Sequence, residues 1–550
     1  MAKQDDIVVV GAGPAGLTLA CQLLRRGVQC RVIEEAHKPM AHSRAIGISA
    51  RSLEVFEEFG AAEEIVEAGI QIDIANFYSS GKSVGKITTS SVSGTKFPFM
   101  LSLQQYETER LLRDRFAKMG GVIESGVRLT GIEPQRAKEP LRLTLETADG
   151  AQTAEAHWVV GADGRWSAVR EQSGIAFSDA PMTVTFSIVD AYVDGGPARD
   201  QGHYCFSPDG LLVIVPLPDG SYRFAATIRH AGEDDSTLDL DYHRRLVGAR
   251  APMKMHIREL RDAGWGGTKV RILARIASTF RKGSCLLAGD AAHVFSPVGG
   301  QGLNAAVQDA QNLAWKLALV STGRAPEALL DTYVAERLHA ALVAMQAANS
   351  QTRLGTISSS AGRLVRDTFL TLATKTGLLD RMMAPSLTQL ATKYPGSSLA
   401  ARNGEAKSGA AGQRVSNFAL QRDGEDAPTA MFDLLARHPF TILALVAGPG
   451  DQMCVAELEK EAGSRYGDLV GVVQLRRHDA PSGGMASIPV DTGGALSRFA
   501  NLRGAGVLLV RPDGHVACCD RLDRWKSMVT FLDAILKNAD AGAAQGAQAS

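Results

Sequence analysis

Four apolar residues, Ile7-Val8-Val9-Val10, open directly into Gly11-Ala12-Gly13-Pro14-Ala15-Gly16, after which Leu17, Ala20, Cys21 and Leu24 recur at helical spacing as far as Arg25-Arg26-Gly27. A short β-branched run of this kind suits a central parallel strand, which is buried on both faces. The glycines permit a tight reversal and a close approach of ligand to backbone, so the unpaired N–H groups of the helix start can aim at an anion. Strand, glycine turn and helix in this order constrain the chain to begin as the βαβ unit of a doubly wound sheet. A second strand, Cys30-Arg31-Val32-Ile33, ends in Glu34, at the distance where a carboxylate accepts hydrogen bonds from a ribose, with Glu35 the adjacent alternative. The reading is nucleotide binding; the competing one is a glycine-rich structural turn.

A second turn narrows the nucleotide. Cys285-Leu286-Leu287-Ala288 reads as a buried strand delivering Gly289-Asp290, followed by Ala291-Ala292-His293 and Ser296-Pro297-Val298-Gly299-Gly300-Gln301-Gly302-Leu303-Asn304. Asp290 is placed to bond a sugar or ribityl hydroxyl. A helix from Asn304 to about Val320, with Ala306, Ala310, Leu313, Ala314 and Leu317 as its buried stripe, starts where Gly299, Gly300 and Gly302 let the backbone run close to a ligand. Its positive end suits the charge that gathers near N1 and the C2 carbonyl of a reduced flavin. The two turns together read as an FAD site.

These stretches, with Gly161-Ala162-Asp163-Gly164-Arg165-Trp166-Ser167-Ala168-Val169-Arg170 between them, resemble in content and order the aromatic-hydroxylase group of single-component flavin monooxygenases, over most of residues 5 to 340. Arg44-Ala45, Gln105-Tyr106-Glu107-Thr108-Glu109 and Tyr333-Val334-Ala335-Glu336-Arg337 are secondary marks. The resemblance implies that Gly11, Gly13, Ala15 and Gly16 cradle the FAD pyrophosphate, that Glu34 holds the ribose, and that Arg44 and Gln105 contact the cofactor. It places Asp290 on the ribityl chain, Gly302, Leu303 and Asn304 beside the isoalloxazine, and the Pro297 carbonyl against the substrate as the catalytic contact. Asp163 would serve both FAD and the nicotinamide donor. The plainer readings are a turn for Asp163-Gly164, a surface charge for Arg44 and a loop stiffener for Pro297. The implied reaction is hydroxylation of a phenolic ring through a flavin C4a-hydroperoxide, with NADPH or NADH and O2 consumed. A polycyclic polyketide hydroxylase is the runner-up, and a flavin-binding interaction protein without turnover is the rival of another class. Glu35, Ser296 and Leu338 depart from the commonest family pattern, which bears on the substrate and not on the flavin.

Between the flavin segments, residues 182–193, 210–217 and 222–226 alternate as strands of an antiparallel sheet. In the family such a sheet roofs the active site, making Tyr204, Phe206, Tyr222 and Arg223 candidates to line an aromatic pocket, although alternation turns about half of such residues away. The expected architecture is α/β: a Rossmann-type FAD-binding domain (1–180 and 270–395), an inserted antiparallel β-sheet substrate domain (181–269), a linker (396–412), a thioredoxin-like domain (413–537) and a disordered tail (538–550). The C-terminal domain, built on a strand at 440–447 and a strand pair at 506–517, lacks Cys-x-x-Cys, so a structural role or support of a homodimer is expected.

Bulk properties set the outer limits. A chain of 550 residues exceeds one hydrophobic core, and 59 basic residues against 59 acidic ones give no reason to expect nucleic acid. The seven cysteines are scattered without metal-ligand spacing, and the chain starts with charged residues in place of a signal peptide, so a reducing cytoplasm is expected and no metal is required. The apolar run 440–447 is too short to span a bilayer, so no stable membrane insertion is expected.

Overall fold

The structure is a computed structural model describing residues 4–39, 45–133, 139–228, 238–261, 268–296, 299–357, 359–400, 410–421, 428–480, 485 and 488–536. It divides into two compact units, the first formed by residues 1–92, 97–311 and 341–390, the second by residues 93–96, 312–340 and 391–550.

In the first unit the strand Gln4–Val10 lies between Gly150–Gly161 and Arg31–Glu34, parallel to both. Cys285–Leu287 joins the far side of Gly150–Gly161 and Ile123–Ser125 the far side of Arg31–Glu34, again parallel. Ile7, Val8 and Val9 are buried, as a strand covered on both faces requires. Register matters here, because Val10 pairs with Gly161 and Ile33, and Gly161 with Leu287. The four strands therefore end level, and the loops that follow them leave from one edge, the carboxyl edge at which open α/β sheets bind ligands.

The second sheet of this unit has nine strands, in the order His293–Val294, Thr268–Ala277, Phe177–Asp194, Tyr222–Ile228, Gly210–Pro216, Gln201–Ser207, Ile74–Ser79 and Lys82–Thr88, with His256–Leu260 on Phe177–Asp194. The strands expected from alternation are present. The sheet also recruits the hairpin at residues 74–88 from outside the expected 181–269 stretch, through parallel pairing of Ile74–Ser79 with Gln201–Ser207. One face packs Phe77, Phe186, Phe206 and Leu211 against Leu370, Ala373 and Leu379 of the helices Ser360–Lys375 and Leu378–Leu387. The other packs Cys205, Ile214, Tyr222 and Phe224 with Val247 of the helix Leu240–Arg250.

The second unit is built on a seven-stranded sheet in the order Thr429–Ala430, Ala419–Gln421, Val490–Asp491, Val470–Arg477, Phe440–Val446, Gly506–Val510 and Val516–Arg521. All seven residues of Phe440–Val446 are buried, those of one face with Trp315 and Leu319 and those of the other with Leu508 and Val510. Residues 312–340, expected with the FAD-binding domain, thus cluster with the C-terminal third. The physical reason is a buried ionic knot. Arg511 donates to both carboxylate oxygens of Glu336 (2.5 and 3.0 Å) and to Asp513 (2.5 Å), Lys316 donates to Glu336 (2.7 Å), and Asn312 donates to Glu336 (2.8 Å) and Asp513 (3.2 Å). Burial alone would raise the Glu336 carboxyl, but Arg511 and Lys316 hold it well below the carboxylate range, while burial pushes the Lys316 ammonium down to about 8. Half of the expected linker (401–409) and the whole of the expected tail (538–550) lie outside the described residues.

The seven cysteines are free. Burial pushes the thiols of Cys21, Cys30 and Cys205 up to about 12 and that of Cys285 to about 11.

Candidate flavin site

The first turn uses its three glycines in three ways. At Gly11, with φ of +101°, a Cβ would sit 2.4 Å from the Ala162 carbonyl oxygen, and at Gly16 it would sit 2.0 Å from that of Gly11. These two are glycines because backbone packs on backbone. At Gly13, by contrast, a Cβ would meet nothing within 4 Å. Gly13 also caps the helix Pro14–Leu24, so the open space lies where the N–H groups of the first helical turn point. Ala15 and Gly289 approach until a Cβ on Gly289 would lie 3.1 Å from those of Ala15 and Ala306, which brings both turns and the helix Gln301–Ser321 to one place.

Glu34, at the end of its strand, accepts the Ala12 N–H at 2.7 Å and the Ala36 N–H at 3.0 Å. Gln105 accepts the Ala45 N–H (3.3 Å) and donates to Glu109 (2.8 Å), and Arg113 donates to the Ala12 carbonyl (3.1 Å). Residues 105, 109 and 113 occupy one face of the helix Gln105–Lys118. That i, i+4, i+8 spacing was the available signal for Glu109 and Arg113, which the motif reading did not single out. Burial raises the Glu109 carboxyl above its ordinary range.

Asp163 accepts the Val169 N–H through Oδ2 (3.2 Å), while its buried Oδ1 has no hydrogen-bond partner. Burial raises this carboxyl in spite of the hydrogen bonds from Ser167 and Val169. Arg170 ties the turn to the distal one, donating to the carbonyls of Ala291 (2.9 Å) and Arg165 (3.0 Å).

In the distal turn Asp290 is exposed at the end of Cys285–Leu287. The preceding Gly289 has φ of +63° and donates its N–H to Asp309 (3.0 Å), whose Oδ2 also lies 2.6 Å from His293 Nε2. Asp309 sits on the helix Gln301–Ser321, so a fully buried carboxylate fixes the turn to the helix that follows it. This pairing was not read from the sequence.

A Cβ on Gly302 would meet nothing within 4 Å, and one on Gly300 would come no closer than 3.8 Å to Gly47 Cα. Leu303 is half-buried beside them. Asn304 is saturated by protein: it donates to the carbonyls of Gly47 (2.9 Å) and Gly300 (2.6 Å) and accepts from Ser49 N (2.8 Å) and Ser52 Oγ (2.7 Å). Its side chain therefore shapes the loop and leaves contact with a ligand to the backbone. Arg44 and Pro297 lie outside the described residues.

The four residues proposed for an aromatic pocket do not come together. Tyr204 and Phe206 share the sheet face with Phe77, at ring-centroid distances of 5.2 and 6.0 Å. Tyr222 is on the opposite face, its hydroxyl donating to the Pro197 carbonyl (2.6 Å), because strand alternation separates it from its neighbour. Arg223 is buried in a two-pronged bond to Asp190 (2.7 and 2.8 Å).

Open backbone at Gly13 and Gly302, an unpartnered buried oxygen on Asp163 and an exposed Asp290, all grouped around one sheet edge, fit a flavin dinucleotide. Residues 4–348 match the family described as FAD binding domain. The chain is 33% identical to 6-methylpretetramide 4-monooxygenase of Streptomyces rimosus, covering 97% of this chain and 94% of that protein. It is also 33% identical to pentachlorophenol 4-monooxygenase of Sphingobium chlorophenolicum, covering 96% of each. Among solved structures, OxyS anhydrotetracycline hydroxylase from Streptomyces rimosus has a TM-score of 0.75 at 27% identity, with 97% of this chain and 99% of that one covered. The chain belongs to the FAD binding domain family, and within it to the FAD-dependent aromatic hydroxylases, as a flavoprotein monooxygenase.

Proposed function

We propose that this monooxygenase hydroxylates a phenolic ring with NADPH or NADH and O2 as co-substrates. The observation that carries the reading is the convergence of the two glycine turns, Asp163 and the start of the helix Gln301–Ser321 at one sheet edge, in a chain aligned along its whole length with pentachlorophenol 4-monooxygenase. FAD, when bound, supplies the hydride acceptor and the oxygen activation that no side chain can.

The chain's own residues bind, orient and shield. The N–H groups opening the helix Pro14–Leu24 would receive the pyrophosphate beside Gly13, Glu34 would exchange its backbone partners for ribose hydroxyls, and Asp290 would accept from the ribityl chain. Arg44 and Gln105 would contact the cofactor as well. Backbone N–H groups at Gly302 and Leu303, at the positive end of their helix, would favour negative charge on the ring. Asn304 holds that loop in shape, and the Pro297 carbonyl would face the substrate. Tyr204 and Phe206 are the better pocket candidates; Arg223, neutralised by Asp190, is not free to receive a phenolate. The C-terminal unit supports a thioredoxin-like reading through its parallel pair Phe440–Val446 and Val470–Arg477 joined by the helix Gln452–Tyr466, followed by an antiparallel hairpin and a helix.

A second reading, a polycyclic phenol as substrate, is favoured by the full-length likeness to 6-methylpretetramide 4-monooxygenase and by the likeness to anhydrotetracycline hydroxylase. Anaerobic reduction of the flavin by NADPH and by NADH, with simple phenols, halophenols and polycyclic phenols in turn, tests both. Acceleration by one class identifies the substrate family; equal reduction with and without every ligand removes the support for a substrate-gated hydroxylase.

A further inference from the structure

The helix Ser360–Lys375 packs on the nine-stranded sheet by one face, where Arg366, Leu370 and Ala373 are buried and Arg366 donates to Ser79 Oγ at 2.8 Å. Its other face is also apolar. Leu364, Val365, Phe369 and Leu372 are 70, 70, 49 and 59% exposed, and the next helix adds Leu378 at 44% and Met382 at 57%. Helices at a protein surface ordinarily turn a polar face outward. At roughly 200 Å² for a fully exposed large side chain these six present on the order of 700 Å², more than the ~300–600 Å² of the largest apolar patch on an ordinary monomer.

The segment that carries the stripe is net basic. In a chain balanced overall, residues 341–390 hold five basic residues and two acidic ones. Both acids are engaged, Asp367 by Arg366 (2.8 Å) and Asp380 by the Thr88 N–H (3.0 Å). Arg353, Lys375 and Arg381 are exposed and have no side-chain hydrogen bond or ion pair among the described residues. An apolar stripe between cations is the arrangement with which an amphipathic helix lies in the interface of an anionic bilayer, apolar side chains at the acyl boundary and cations among the headgroups. A second copy of the chain is a poorer occupant, because a twofold contact sets the same basic rim against itself. No helix among the described residues is long and apolar enough to cross a membrane, which limits the contact to the surface.

We propose that the outward face of residues 364–382 is a peripheral membrane-binding surface selective for anionic lipid. It stands independently of the substrate reading. Flotation of the full-length holoenzyme with phosphatidylcholine vesicles, with and without a minority of phosphatidylglycerol, tests it. The expected result is flotation with the anionic vesicles only, reversed by high salt, weakened about fivefold by Arg381→Ala, as loss of one cation at the surface implies, and abolished by Phe369→Glu with bound flavin retained. Should Phe369→Glu lose its flavin, the lipid, salt and Arg381→Ala arms decide. Holoenzyme that floats with neither vesicle overturns the proposal. So does a concentration-dependent dimer that Phe369→Glu dissociates, in a protein that binds no vesicle.

Discussion

Single residues in the flavin site divide into those that face open space and those that hold the walls, and substitution separates the two. Gly13→Ala is expected to fold with stability within about 1 kcal/mol of the parent, since its backbone is in the extended region and a Cβ meets nothing, yet to lose FAD affinity measurably in a fluorescence titration. Gly16→Ala should fail earlier, at folding, because its Cβ would overlap the Gly11 carbonyl. Asn304→Ala strands two carbonyls, an N–H and a hydroxyl, so thermal unfolding should show a loss of about 2–4 kcal/mol along with faster flavin release. Asp290→Ala, at an exposed position, should weaken FAD retention; equal retention by the variant would remove its ribityl role. The turn glycines and the position of Asp290 after a strand were legible in sequence because motif spacing records local backbone geometry. The tie of Asp309 to Gly289 was not, since it joins a helix interior to a turn twenty residues earlier by side-chain chemistry that local windows do not carry.

At the scale of elements, the strand Gln201–Ser207 carries a titration liability. His203 is buried against Tyr78, neither of its ring nitrogens has a hydrogen-bond partner, and burial lowers its pKa to about 4 despite the nearby charge of Asp200. Burial also lowers His243, which lies 2.9 Å from Ser187 Oγ. Below its ordinary pKa near 6.5 the unfolded imidazole takes a proton that the folded one refuses. Stability is therefore complete above about pH 6.5 and declines as pH falls towards 4, by an amount on the order of 2 kcal/mol for His203. Urea denaturation across this range should show the decline, and His203→Leu should flatten it. Alternation in the sequence correctly foretold the strands at 182–193, 210–217 and 222–226. It did not reveal that Ile74–Ser79 would pair beside Gln201–Ser207, because parallel pairing across more than a hundred residues leaves no periodic trace.

The whole molecule does not divide where its sequence thins into a linker. The helix Gln301–Ser321 contributes residues up to Gln311 to one unit and from Asn312 to the other, and Glu336, which pairs with Lys316, is bound by Arg511 of the hairpin at 506–521. Deleting residues 413–550 would leave that pair without Arg511 and Asp513, so the expected product is insoluble or unfolded chain and not a trimmed flavoprotein; a soluble, flavin-loaded fragment would contradict the role given to the knot. Arg511→Met isolates the electrostatic part, with an expected loss of about 3–5 kcal/mol in chemical denaturation. Composition and the small polar stretch after residue 396 located the start of C-terminal sequence but not the boundary of packing, which depends on charges that meet only in three dimensions.

An oxygenase that misfires releases hydrogen peroxide inside its own scaffold, and thiolates are the groups peroxide attacks first. Burial pushes the thiols of Cys21, Cys30, Cys205 and Cys285 up, away from the thiolate form at neutral pH, including the cysteine that begins the strand leading into the Asp290 turn. The fold thereby shields these four thiols from the hazard of its own chemistry, and damage during futile turnover should register first at methionines and at Cys454, which is partly exposed and not among the four.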